Sequence, residues 1–153
     1  MQRTIVLKND ITDIPQLSAF IDAFAEEAGL DFSLTMSLNL AIEEAVVNVM
    51  LYAYPQGMQG KVNLSAEAEG TDVKFVLSDT GKPFDPTEKK EVDTTLEVED
   101  RPIGGLGIHL VRQIMDKVEY KYTDGMNVLT MYKNTANASG DTVNIDFDLQ
   151  GLV

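Results

Sequence analysis

The sequence predicts an α+β domain: a two-layer sandwich in which a mixed, mainly antiparallel sheet carries its helices on one face. Three observations lead there. Apolar residues recur at helical spacing in two consecutive stretches near the N-terminus. Two pairs of alternating, β-rich segments follow, each split by a turn signal. A third helical pattern lies between the pairs. The order βααββ–loop–αββ gathers the helices between strand pairs, and such an order packs helices against one sheet face.

"RTIVLK" (3–8) is the first strand. Ile14, Leu17, Phe20, Ile21 and Phe24 then recur at helical spacing, and Gly29 is a stop signal. A second helix covers 31–54, with Asp31 or Ser33 as its cap and Pro55 and Gly57 ending it. "KVNLSAEAE" (61–69) and "DVKFVLSD" (72–79) alternate like antiparallel strands around Gly70. "IGGLGIHLVRQIMDKV" reads as a glycine loop opening a helix, with Leu110, Val111, Ile114, Met115 and Val118 on its apolar face. "VEYKYTD" and "NVLTMYK" form the second strand pair around "TDGM". Residues 82–103 are mostly charged or polar and contain Pro83 and Pro86. Loops this long in compact domains are lids, binding loops or disordered. The last twenty residues read as a linker plus a short strand, "TVNIDFDL".

The chain has 153 residues, 44% of them hydrophobic, which suits one domain with a real core. Its net charge is −13, from 25 acids and 12 bases. Such a chain repels phosphate backbones, so nucleic acid is not an expected partner. Cysteine is absent, which removes disulfides and thiolate metal sites. No signal-peptide pattern opens the chain, and no run of 18 apolar residues occurs, so a cytosolic protein with no membrane span is expected.

Polar residues in apolar settings carry the functional signal. From Ala45 to Tyr54 every residue except Asn48 is apolar or aromatic. An unpaired amide there costs about 1–3 kcal/mol. Residues four apart share a helix face, which places Glu44 beside Asn48. Glu43, roughly 140° round the helix from Asn48, is expected to face solvent. Taken alone, Asn48 could equally bond a neighbouring backbone group.

Asp79 ends an apolar strand and is followed by Thr80 and Gly81. A carboxylate at that place accepts hydrogen bonds only, and could receive the exocyclic amine of adenine. Guanine would present a carbonyl instead, a mismatch of about 1.5–3 kcal/mol. The alternative is a simple Asp–Gly turn. Gly104, Gly105, Leu106 and Gly107 open the third helix, where backbone N–H groups and the helix dipole favour an anion. The spacing is neither a Rossmann fingerprint nor a P-loop. His109, the only histidine, shares the polar face of Arg112, Gln113 and Asp116.

Together, "EEAVVN", "SDTGKPFDP" and "GGLGIHLVRQIMDKVEY" resemble the Bergerat-type ATP-binding fold. More narrowly they resemble the anti-sigma-factor serine/threonine kinases, over residues 1–133. The resemblance implies ATP and Mg²⁺, with Glu44 as general base and Asn48 as the metal ligand. It implies Asp79 and Gly81 at the adenine, Gly104, Gly105, Leu106 and Gly107 at the phosphates, and 82–103 as an ATP lid with Arg101 touching phosphate. The threonine that the family places near the last strand has no clear match; Asn127 or Thr130 could replace it. Residues 134–153 form a C-terminal extension outside the resemblance.

The implied function is a kinase that phosphorylates a STAS-type anti-anti-sigma protein and sequesters a sigma factor, with a homodimer carried over from relatives. The alternative is an ATP-dependent binding module without phosphotransfer. A histidine kinase is disfavoured because no phosphoacceptor helix precedes the ATP domain, and a gyrase-like clamp because only about twenty residues follow it.

Overall fold

A computed structural model describes residues 1–55, 57–87 and 107–137. The elements are β1 (Gln2–Lys8), α1 (Ile14–Ala28), α2 (Phe32–Tyr52), β2 (Lys61–Glu69), β3 (Asp72–Asp79), α3 (Gly107–Ile114), β4 (Lys117–Thr123) and β5 (Met126–Asn134), with 3-10 turns at Ile11–Asp13 and Thr135–Asn137. The expected extra strand near 142–149 lies outside the described residues.

Local chemistry sets the boundaries. Pro15 lies in the first turn of α1, and Gly29 ends the helix in the left-handed conformation at φ 73°. Asp31, rather than Ser33, caps α2, accepting from the Leu34 N–H at 2.7 Å. Asp124 and Gly125 both take positive φ, 53° and 74°, the turn that matches strand twist in a hairpin. Val118, which the sequence offers both to the third helix and to the strand "VEYKYTD", belongs to β4. The helix stops at Ile114, and Asp116 N–H bonds the Tyr132 carbonyl, which turns the chain into the sheet.

The five strands form one sheet in the order β1-β2-β3-β5-β4. The mainly antiparallel sheet that the sequence predicts is what forms, and every pairing among the described residues is antiparallel. Two helices between β1 and β2 bring the chain back antiparallel. The crossover through α3 runs β4 parallel to β3, but β5 inserts between them, so no parallel pair forms.

One sheet face is covered. Leu7, Val62, Leu64, Ala66, Val73, Phe75, Leu77, Leu129 and Met131 lie under the three helices. They meet Leu17, Ile21 and Phe24 of α1, Leu38, Ile42, Ala45 and Val49 of α2, and Val111 and Ile114 of α3. Phe24 and Phe75 join α1 to the sheet edge-to-face, 5.6 Å between centroids. By length and composition α2 could cross a membrane, but more than half of that stretch is packed inside the domain, as a central core helix is. The register decides which polar residues face the helices: Asp79 pairs with Asn127, both on the covered face, whereas Val76 and Thr130 pair on the other.

Phe75→Ala is expected to destabilise the domain by about 3–5 kcal/mol. A urea melt with an unchanged m-value would show this; a loss under 1 kcal/mol would mean that the α1–sheet contact is not a main part of the core.

Candidate functional site

Asp79 is the last residue of β3 and is 1% exposed. Its Oδ1 accepts from the Gly81 N–H at 2.8 Å and from Asn127 Nδ2 at 2.9 Å. Its Oδ2 is wholly buried without a partner. A buried carboxylate oxygen without a donor is costly, so it marks a place built for one. Burial pushes the Asp79 carboxyl above the usual range, against the two hydrogen bonds, which pull it down.

The turn after Asp79 is docked on the end of α2. A Cβ on Gly81 would lie 2.3 Å from the Ala53 carbonyl oxygen, so only glycine fits. The Lys82 N–H donates to that same carbonyl at 2.7 Å. The Thr80 N–H donates to the Tyr54 hydroxyl at 3.2 Å, and that hydroxyl donates to the Lys61 carbonyl at 2.6 Å. Tyr52 packs its ring on Phe84, 5.6 Å between centroids.

Asn127 sits at the start of β5, directly opposite Asp79. Its Nδ2 donates to Asp79 Oδ1 and to the Lys82 carbonyl, both at 2.9 Å. Its Oδ1 accepts from the Phe84 N–H at 2.9 Å and from the Tyr120 hydroxyl. Both N–H donors and both lone pairs are therefore used within the protein. Of the two sequence candidates for this place, Asn127 is the one brought to Asp79; Thr130 lies on the opposite sheet face. Sequence reasoning missed Tyr120, Tyr54 and Tyr52. Only the odd placement of a phenol at inward-facing Tyr120 hinted at one of them.

On α2, Asn48 is 4% exposed. Among the described residues nothing bonds its side-chain amide. Asn48 lies about 7.5 Å along the helix axis from Ala53, and Glu44 about 6 Å further. Glu44 is half-buried, and its carboxyl is raised, first by burial and second by the charge of Glu43. Glu43, expected to face solvent, is half-buried and accepts from Ser18 Oγ at 3.0 Å, because α1 packs along that side of α2.

Arg101, Gly104, Gly105 and Leu106 lie outside the described residues, as does 88–103 of the expected lid. Gly107 is the first residue of α3. His109 is exposed, and Arg112 on the same side donates to the Thr87 carbonyl at 2.9 Å. The arrangement fits an adenine nucleotide: an acceptor oxygen, buried and unpaired, beside a turn with no side chain at Gly81. No group of three acidic or histidine side chains that could hold a metal occurs among the described residues. A divalent ion here would take Asn48 as its protein ligand and the rest of its shell from phosphate and water, as Mg²⁺ does.

Residues 7–133 match the profile of the histidine kinase-like ATPase domain. The chain belongs to that family. Among relatives of this ATPase domain, the serine-protein kinase RsbW of Halalkalibacterium halodurans is 28% identical over 137 residues, 87% of this chain and 82% of the relative. The serine/threonine-protein kinase BtrW of Bordetella bronchiseptica is 28% identical over 106 residues, 69% of this chain and 75% of the relative. The crystal structure of the RsbU and RsbW domains of a Mycobacterium tuberculosis protein superposes with a TM-score of 0.63 at 17% identity. It covers 88% of this chain, which spans about a third (32%) of that structure.

Asp79→Asn keeps the Oδ1 acceptor and places a donor where Oδ2 lies. ATP affinity is expected to fall at least tenfold by calorimetry. The fold is expected to survive. A carboxyl raised in the folded state costs stability as pH rises through the window from its ordinary value to its raised one. The asparagine variant should therefore melt at or above the wild type at pH 7, with the gap closing in acid. Unchanged ATP affinity would remove Asp79 from the nucleotide site.

Proposed function

We propose that this protein is an ATP-dependent serine/threonine kinase of the anti-sigma-factor type. Its substrate is a STAS-type anti-anti-sigma protein, and it also binds and sequesters a sigma factor, exchanging partners with phosphorylation state. The single observation that carries the reading is the unpaired Asp79 Oδ2 at the end of a turn clamped to the helix that holds Asn48 and Glu44. The relatives named serine kinases support the choice of reaction.

The residues divide the work by position. Asp79 Oδ2 accepts the exocyclic amine of adenine, and its partners Gly81 and Asn127 hold that oxygen in place. Asn48 offers an amide carbonyl, a hard oxygen suited to Mg²⁺. When bound, the ion screens charge on the phosphates. Glu44, one turn on, accepts the proton of a serine or threonine hydroxyl. The order Ala53, Asn48, Glu44 along α2 then matches the order base, phosphates, acceptor hydroxyl. A raised carboxyl suits a base: it is less readily deprotonated at low pH but a stronger proton acceptor once ionised. Gly104, Gly105, Leu106 and Gly107 cradle the phosphates and Arg101 reaches them from the lid, on the family resemblance.

Glu44→Gln tests the role. ATP affinity is expected to stay within about twofold, while transfer to a STAS acceptor falls about 10²–10⁴-fold. In the wild type, the rising limb of the pH–rate profile should lie above the usual glutamate range. Glu44, like Asp79, costs stability above its ordinary range, so the glutamine variant should be no less stable at pH 7. Transfer at the wild-type rate by the variant would contradict the assignment of the base.

A further inference from the structure

Helix α2 is more apolar than its burial requires. Residues Met36, Leu40, Glu44, Val47 and Leu51 fall within an arc of roughly 80° and form one i+4/i+3 ridge, which Phe32 extends at the N-terminal end. This ridge is not core. Phe32 is 79%, Met36 57% and Leu51 40% exposed, and Leu40 and Val47 are half-buried. A helix that is apolar on every side belongs in a core or an interface, and α2 is covered by the sheet on only one of its sides. The ridge runs about 28 Å. Glu44 is its one charged residue.

The α1–α2 part of the helical layer has one sign of charge, and Arg112 of α3 is engaged with the Thr87 carbonyl. Residues 9–60 hold eight acids and no lysine or arginine. Glu27 is paired with Arg3 of β1, at 2.6 Å. A second copy of this face would meet like charge, and an anionic bilayer would be repelled. The chain's own residues 138–153 carry three acids and no base, so they are not complementary either.

We infer that the α2 ridge is the docking surface for the phosphoacceptor protein, which fits it with an apolar centre around the acceptor serine or threonine and a rim of lysine and arginine. This rests on the kinase reading, since Glu44 defines where the hydroxyl must land. A hydroxyl that reaches Glu44 along this face lands beside Leu40 and Val47, the i−4 and i+3 neighbours of Glu44 on the ridge. The apolar flanks supply contact area and exclude water from the proton transfer. The acidic layer supplies orientation and encounter rate.

The probe is a purified STAS-domain protein from the same genome. Met36→Ser and Leu51→Ser, at exposed positions, are expected to raise the KM for that acceptor about tenfold each while ATP affinity and melting temperature stay unchanged. Val6→Ser, exposed on β1 off the ridge, should leave KM unaltered. Wild-type KM should also rise with added salt. Active transfer with both ridge variants at wild-type KM overturns the docking surface and leaves the kinase reading intact. A wild type that binds ATP but phosphorylates no STAS protein overturns both. Ridge variants that shift only the dimer mass in sedimentation, or only binding to vesicles, with acceptor KM unchanged, also overturn it, in favour of a second copy or a bilayer.

Discussion

The docking of the turn at Asp79–Gly81 onto the last residues of α2 is the contact on which the site depends. It joins, through backbone hydrogen bonds, two layers that elsewhere meet mainly through apolar side chains. The Ala53 carbonyl, left over at the helix end, receives the Lys82 N–H, and glycine at 81 lets the backbones close to a distance no side chain allows. The Tyr54 hydroxyl bonds Thr80 of the turn and Lys61 at the start of β2. With that contact fixed, the acid on β3 and the polar pair on α2 have set positions relative to each other. On the proposed reading they serve one site, although Glu44 and Asp79 lie 35 positions apart in the chain.

The site is built against stability. Asp79 holds a buried oxygen without a donor, and Glu44 holds a carboxylate beside another acid in a half-buried position. Each raises the energy of the folded state at neutral pH, and the apolar core under three helices offsets them. Asn127 limits the damage. By using all its hydrogen-bonding capacity on Asp79, Lys82, Phe84 and Tyr120, it fixes which oxygen of Asp79 stays open and ties the first residues after β3 to the sheet. A threonine hydroxyl could not make four such bonds, so asparagine here is a different solution and not a simple replacement.

Much of this was legible in the sequence. Apolar periodicity marked α1, α2 and the strand pairs, and Gly29 and Asp31 marked their junction. The choice of Glu44 over Glu43 followed from helical angles, although Glu43 proved to be held by Ser18 instead of facing water. What the sequence hid was non-local. The wholly antiparallel pairing among the described strands depends on β5 inserting between β3 and β4, which no local pattern encodes. Val118 kept helical spacing with Ile114 and Met115, yet the sheet claimed it. Only the register separated Asn127 from Thr130, and only the assembled fold exposed the tyrosines that hold the turn. The exposure of the α2 ridge was not legible either, because composition cannot tell a buried apolar face from an exposed one.

The central claim is that Asp79 Oδ2 recognises the amine at position 6 of the purine. The most direct measurement is calorimetric titration of the wild-type protein with Mg²⁺-ATP and with Mg²⁺-inosine triphosphate, which differs by a carbonyl at that position. Two facing acceptors cost about 1.5–3 kcal/mol, so inosine triphosphate should bind about 10- to 150-fold more weakly. Equal affinities would contradict the claim.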